Sequence, residues 1–208
     1  VYGYASACFL DVLLLRGYYE EAKNVAQTLI RLQRPSGLFS GELEVPHQNG
    51  GILLQLCRLY RFSGDKNWFK EVIPNILRSC QWIIENRTKT MVLEEGKKPI
   101  TYGLLPESRY CVDNVAEATL CQNYLTDALN WAGLNEAALA LKEYGMEAEG
   151  SRLQREADEY REDILHSMSQ ALVMHSDPPF LPMRPHYRIP YENLRDSITG
   201  SYYSILAP

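Results

Sequence analysis

The sequence lacks the patterns that mark several common classes of protein. Its 208 residues include five cysteines, an odd count with no CxxC spacing, which argues against a disulfide framework or a zinc knuckle. No apolar run approaches the length of a membrane span. The net charge is −5 with both signs interspersed, whereas nucleic-acid binding needs a concentrated basic face. We therefore expect no metal, no cofactor, no nucleic acid and no membrane among its partners.

The sequence also lacks the strict alternation of polar and apolar residues that marks β-strands. Its apolar residues recur instead with helical spacing, and Cys8, Cys57 and Cys80 lie in such runs, where they are predicted to be small core residues. The pattern predicts an all-α protein built of helical hairpins. Their paired helices are expected at residues 2–16 with 18–33, 48–62 with 67–85, and 113–143 with 146–172.

Each hairpin pairs a helix that is apolar nearly all round with one that is amphipathic. A helix without a polar face must be buried on all sides, so the first helices are expected to form an inner layer and the second ones an outer layer. This arrangement predicts an (α/α) toroid, with the whole chain 1–208 in one domain. Helix-like patterns run up to both ends, so we expect the chain to be a piece of a larger catalytic domain.

Three long loops connect the hairpins, whereas the turns within the hairpins are short. Because every long loop leads into a first helix, the three should gather on one face, at the N-terminal ends of the inner helices. Carboxylates, amides and aromatic rings in such loops suit a carbohydrate, which needs paired polar contacts and a stacking surface. The candidate substrate-binding residues are His47, Gln48, Asn49, Arg109, Tyr110, Asn114, His186, Tyr187 and Arg188.

Several stretches also resemble a known family. The stretches are GYYEEAKNVAQTLIRLQRPSGLF, HQNGGILLQLCRLYRFSGDKNWFKEVIPNILRSCQWI, YGLLPESRY with DN after two further residues, and GSYYSILAP. They are similar to stretches of the six-hairpin glycosidases. This (α/α)6-barrel group includes glucoamylase-like, trehalase-like and bacterial α-glycosidase-like enzymes. The resemblance covers about half of such a barrel. It implies hydrolysis in which one carboxylic acid protonates the glycosidic oxygen and a second carboxylate activates water.

Three carboxylates are candidates for these catalytic roles. Glu107 is the first choice for general acid, because it follows Pro106 in a loop and partial desolvation there would raise its pKa. Asp113 is the second candidate, and it is also the predicted N-cap of the third inner helix. Glu44 is the third, with a solvated loop charge as its alternative role.

Two other functions fit parts of the same pattern. Toroidal polysaccharide lyases use Tyr, His, Asn and Arg to neutralise a uronate and remove its C5 proton, and the third loop carries Arg184, His186, Tyr187 and Arg188. A scaffold that binds a glycan or protein without turnover is the non-enzymatic alternative, although scaffolds of helical repeats keep their connections short. The expected partners are accordingly a carbohydrate substrate, the remainder of a larger protein, or further copies of the chain.

Overall fold

The computed structural model describes residues 3–40, 45–109, 120–175 and 177–186. These residues form a helical protein, as the sequence predicts, with only two short strands. The helices are α1 (Gly3–Leu15), α2 (Tyr19–Ile30), α3 (His47–Ser63), α4 (Lys66–Thr88), α5 (Tyr124–Tyr144) and α6 (Glu147–Ala171). The strands are β1 (Ser108–Arg109) and β2 (Leu120–Cys121), which pair antiparallel immediately before α5.

Local sequence signals set the turns within the hairpins. Gly64 ends α3 in the left-handed conformation, with φ 68°, which glycine adopts without steric cost. Asp65 then caps α4, and its side chain accepts a hydrogen bond from the main-chain N–H of Trp68 at 3.0 Å. Gly145, with φ 105°, ends α5 in the same way. Each hairpin therefore turns within two or three residues.

The odd-numbered helices pack on one another, and the even-numbered helices cover them. α3 lies between α1 and α5, α2 packs on α1 and α3, α4 on α3 and α5, and α6 on α5. α3 and α5 come into close backbone contact at two glycines. A Cβ added at Gly50 would lie 2.2 Å from the main-chain carbonyl carbon of Leu129, and one added at Gly133 would lie 2.7 Å from the carbonyl oxygen of Gly50. Glycine is therefore required where these two helices meet.

Two apolar clusters follow from this packing. The larger fills the space among α3, α4, α5 and α6 and includes Leu53, Ile76 and Leu134, while the smaller joins α1 and α2 to α3 through residues such as Leu10 and Leu29. Burial of a side chain of this size contributes about 1.5–3 kcal/mol. The two clusters therefore hold α3 to its neighbours from Ile52 to Tyr60.

The structure corrects the predicted start of the third inner helix. α5 begins at Tyr124 rather than at Asp113, and its N-cap is Asn123, whose side-chain oxygen accepts from the N–H of Leu125 at 2.8 Å. Asp113 itself lies outside the described residues. The two-residue strands β1 and β2 pair Leu120 with the segment that follows Glu107 and leave the all-α character of the described residues unchanged.

The structure also corrects the predicted burial of the first helix. α1 exposes an apolar stripe, in which Phe9 is 55% and Val12 54% exposed. Cys8, on the same side, is exposed as well, whereas Cys57 and Cys80 are buried as predicted. Burial raises the pKa of both buried thiols. α1 therefore presents apolar surface that the other described elements leave exposed.

Candidate functional site

The second and third long loops meet at the N-terminal end of α5. The N–H of Tyr124 donates to the carbonyl oxygen of Met183 in the third loop at 3.1 Å. Gln122, just before the helix, donates its side-chain amide to the carbonyl oxygen of Leu105 in the second loop at 3.2 Å. The strand pairing of β1 with β2 holds the second loop at the same place. Two of the three predicted loops therefore converge here.

The first loop reaches this end through the beginning of α3. The side-chain amide of Asn130 on α5 donates to the carbonyl oxygen of Pro46 at 3.0 Å, and its Oδ1 accepts from Nδ2 of Asn49 at 3.0 Å. Asn49 Oδ1 in turn accepts from the N–H of Phe39 at 2.8 Å and from Ser79 Oγ at 2.9 Å. Asn49 thus links the loop, α3, α4 and α5 from a fully buried position.

These contacts bear on three predicted substrate-binding residues. His47, Gln48 and Asn49 lie in the first turn of α3, not in a loop, and all three are buried. Burial lowers the pKa of His47 to about 4, because desolvation disfavours the charged imidazolium, so its ring is neutral at pH 7. Asn49 already uses its amide within the protein. Their contact with a substrate stays a prediction.

The second loop places Glu107 at the surface. Glu107 lies immediately before β1 with its side chain exposed, so the structure gives no support to the predicted partial desolvation, and the role of Glu107 stays a prediction. Arg109 lies in β1. The other predicted residues of the site fall outside the described ranges, and their roles stay predictions: Glu44, Tyr110, Asp113, Asn114, Tyr187 and Arg188.

The last described residue of the third loop, His186, lines a cavity of about 390 Å³ between the second and third loops. Its imidazole is exposed. The cavity is lined by Glu94, Pro99, Ile100, Thr101, Gln170, Pro185 and His186. A carboxylate, an amide, a hydroxyl and an imidazole around a space of this size can hydrogen-bond a ligand rich in hydroxyl groups.

Comparison of the chain with protein-family models, with curated proteins and with solved structures finds no match. Within the described ranges, no group of three or more His, Cys, Asp or Glu side chains could hold a metal ion. None of the helices in that part of the chain is long and apolar enough to cross a membrane.

The first turn of α5 carries polar residues that the sequence pattern did not single out. Asn123, Thr126 and Asp127 are each at least 98% buried. Among the residues the structure describes, Asn123 Nδ2, Thr126 Oγ1 and Asp127 Oδ2 have no hydrogen-bond partner. Buried polar groups are almost always paired, so this turn keeps hydrogen-bonding capacity beyond what the helix needs. Their spacing, i, i+3 and i+4 in an otherwise apolar run, was the available signal.

Asp127, in that turn, has a strongly raised pKa. Burial raises the pKa of Asp127 from its ordinary value of 3.8 to about 7, against the opposing effects of the Leu105 N–H, the Tyr160 hydroxyl and the Arg87 charge. Oδ1 accepts from Leu105 N at 2.8 Å and from Tyr160 Oη at 2.7 Å. A carboxyl of this kind beside converging loops is a candidate functional residue, although its burial keeps it from direct contact with a large substrate.

Proposed function

We propose that the chain is part of a glycoside hydrolase that acts on oligo- or polysaccharides. In this proposal the helical hairpins belong to an (α/α) toroid, and the long loops at the N-terminal ends of its central helices bind the sugar. The observation that carries it is the convergence of two long loops at the start of α5. The third loop accepts from Tyr124 N at Met183 O over 3.1 Å, and the second accepts from Gln122 Nε2 at Leu105 O over 3.2 Å. Helix N-termini and polar loops suit hydroxyl-rich ligands.

Glu107 is the proposed general acid. It stands exposed on the loop that β1 and β2 hold against the start of α5, where a bound glycoside can reach it. Its carboxylic acid would donate a proton to the glycosidic oxygen as the bond to the anomeric carbon breaks. Asp113 and Glu44 are the proposed alternatives, either for this role or for the second carboxylate that takes a proton from the attacking water.

The decisive experiment compares Glu107→Gln with wild type in the complete protein that contains this chain, on a panel of oligosaccharides. Glutamine keeps the shape and hydrogen bonds of the side chain but cannot donate the proton. Turnover of glycosides with poor leaving groups should fall by about 10²–10⁴-fold, while binding measured by calorimetry stays within a few-fold. Glu71→Gln, on the exposed face of α4, is the matched control and should retain full activity.

Unchanged turnover in Glu107→Gln would exclude Glu107 as the acid and transfer the assignment to Asp113 or Glu44. Binding of glycans without release of reducing sugar by the wild-type protein would favour the non-enzymatic scaffold instead. If the complete protein neither binds nor hydrolyses any glycan on the panel, the proposal as a whole is contradicted.

A polysaccharide lyase is the second candidate function, favoured by the position of His186. Its exposed imidazole lines the cavity between the second and third loops, where it could accept the C5 proton of a uronate. Removal of that proton with departure of the O4 leaving group forms a C4–C5 double bond. Ultraviolet absorbance of the unsaturated product, lost in His186→Ala and kept in Glu107→Gln, would establish this function over hydrolysis.

A further inference from the structure

The loop segment that precedes Glu107 is held by polar side chains at three successive residues. Arg87 Nε donates to the carbonyl oxygen of Gly103 at 3.0 Å, and Thr90 Oγ1 donates to that of Leu104 at 2.5 Å. Asp127 Oδ1 accepts from the N–H of Leu105 at 2.8 Å. Hydrogen bonds at each successive residue remove the freedom that an irregular loop otherwise keeps.

The groups that hold this segment form one buried network. Arg87, in the last turn of α4, is fully buried, and its guanidinium donates to Asp163 Oδ2 on α6 at 2.9 Å. The same guanidinium lies 4.2 Å from the ring centre of Tyr160, a distance typical of a cation–π contact. Lys98 contacts the other oxygen of Asp163 at 2.7 Å. The buried charges are therefore paired, which low-dielectric surroundings require.

Only glycine fits at position 103, beside this network. Its φ of +70° lies in the left-handed region, and a Cβ there would be 2.2 Å from Asp163 Oδ2. The loop backbone therefore lies directly against the ion pair. The distance along the chain from Gly103 to Glu107 is only four residues, and Pro106 restricts the backbone between them.

Asp127 and Tyr160 complete the link from the network to the loop. The Tyr160 hydroxyl donates to Asp127 Oδ1 at 2.7 Å, on the same oxygen that receives the Leu105 N–H. One carboxyl oxygen thus joins α5, α6 and the loop. Both side chains are at least 99% buried, so neither can touch a substrate, and any effect on catalysis must act through the loop.

We propose that Asp127 and Tyr160, supported by the Arg87–Asp163 ion pair, are positioning residues that fix the loop carrying Glu107. The chemical meaning of that position rests on the proposed function, in which Glu107 must meet the glycosidic oxygen. The positioning itself is a property of residues 103–107 and does not depend on any activity. A general acid displaced by about 1 Å can lose about 10²-fold in rate, so such support matters to catalysis.

The test measures hydrogen–deuterium exchange at residues 103–109 in the 208-residue chain. Asp127→Ala removes the acceptor of the Leu105 N–H and should speed exchange at that amide at least about tenfold. Asp127→Asn keeps an acceptor oxygen and should restore exchange to within about threefold of wild type. Tyr160→Phe is a milder change that replaces Asp127→Ala as the test if that variant fails to fold. It should raise exchange at Leu105 several-fold.

Tyr124→Phe is the matched control for a lost buried hydroxyl between α5 and α6. Tyr124 Oη and Ser167 Oγ lie 2.9 Å apart, so the variant loses a buried hydrogen bond that does not involve residues 103–105. Its exchange at Leu105 should match that of wild type. Exchange at Leu105 in Tyr160→Phe equal to that in Tyr124→Phe would overturn the proposal, and so would the absence of any increase in a folded Asp127→Ala variant.

Kinetics separate this proposal from the proposed function. With a glycoside that the wild type hydrolyses, Tyr160→Phe should lower kcat with KM nearly unchanged, and Asp127→Asn should retain more activity than Asp127→Ala. If exchange responds as expected but the complete wild-type protein hydrolyses no glycoside, the hydrolase assignment fails while the positioning stands. If exchange does not respond, the positioning fails whatever the activity.

Discussion

The substitution Asp127→Asn should make the protein's stability respond less to pH between 4 and 7. In the folded chain, burial raises the pKa of Asp127 from 3.8 to about 7. Between these values the folded state keeps its proton while the unfolded chain releases it. Folding then binds a proton, so stability falls as the pH rises through this range and levels off above the folded pKa. Below 3.8 both states are protonated, and Asp127 has no effect on the pH dependence.

The size of the effect follows from these two pKa values. Each pH unit between them lowers the free energy of unfolding by about 1.4 kcal/mol, which amounts to about 4 kcal/mol once the pH exceeds 7. Of this, about 3 kcal/mol is lost between pH 5 and pH 8. Asparagine carries no charge at any of these pH values and keeps an oxygen that can accept from Leu105 and Tyr160. The stability of the variant relative to wild type should therefore increase as the pH rises.

Urea denaturation of wild type and Asp127→Asn at pH 5, 6, 7 and 8 measures this difference directly. The free energy of unfolding of the variant, minus that of wild type, should increase by about 3 kcal/mol from pH 5 to pH 8. Other titrating groups act equally in both proteins and cancel. Asp158→Asn, an exposed change on α6, is the control and should stay within about 0.5 kcal/mol of wild type. A difference for Asp127→Asn that stays constant with pH would refute the reasoning.

Three further outcomes are expected from the packing. Gly50→Ala should lower the free energy of unfolding by about 1–3 kcal/mol or more, because its Cβ would lie 2.2 Å from the backbone of α5; an unchanged urea midpoint would contradict the close approach. Arg87→Met should lower the free energy of unfolding by about 3–5 kcal/mol, because it leaves the buried Asp163 with the half-exposed Lys98 as its ion-pair partner. The double variant Arg87→Met with Asp163→Leu should recover part of this loss in the same urea assay. Because Phe9 and Val12 are more than half exposed, the chain should self-associate with rising concentration in light scattering, and Phe9→Lys should weaken this; a monomer at all concentrations would count against it.

The ends of the helices were predicted well where the apolar periodicity of the sequence agrees with local helix start and stop signals. The predicted helix at residues 48–62 matches α3 within one residue at each end, because Gly64 and Asp65 supply a helix stop and a helix start side by side. The predicted partner at residues 67–85 matches α4 nearly as well. Such signals act within a few residues, so the sequence alone contains them.

The start of α5 shows where local signals are insufficient. Asp113 and Asn123 are both good N-cap residues ahead of apolar periodicity. The choice between them depends on Leu120–Cys121 pairing with Ser108–Arg109, a contact between segments that are apart in sequence. Similarly, the apolar sequence of α1 resembles that of a fully buried helix. Only the packing of the neighbouring helices decides that Phe9 faces solvent.

The buried network behind Glu107 was decided by tertiary structure alone. Arg87 and Asp163 lie 76 residues apart, and an arginine and an aspartate on helices are usually solvated surface charges. Burial of Asp127 beside Leu105 and Tyr160, rather than its residue type, moves its pKa toward neutrality. Desolvation depends on every atom that surrounds a group, and those atoms come from α4, α5, α6 and a loop that only folding brings together.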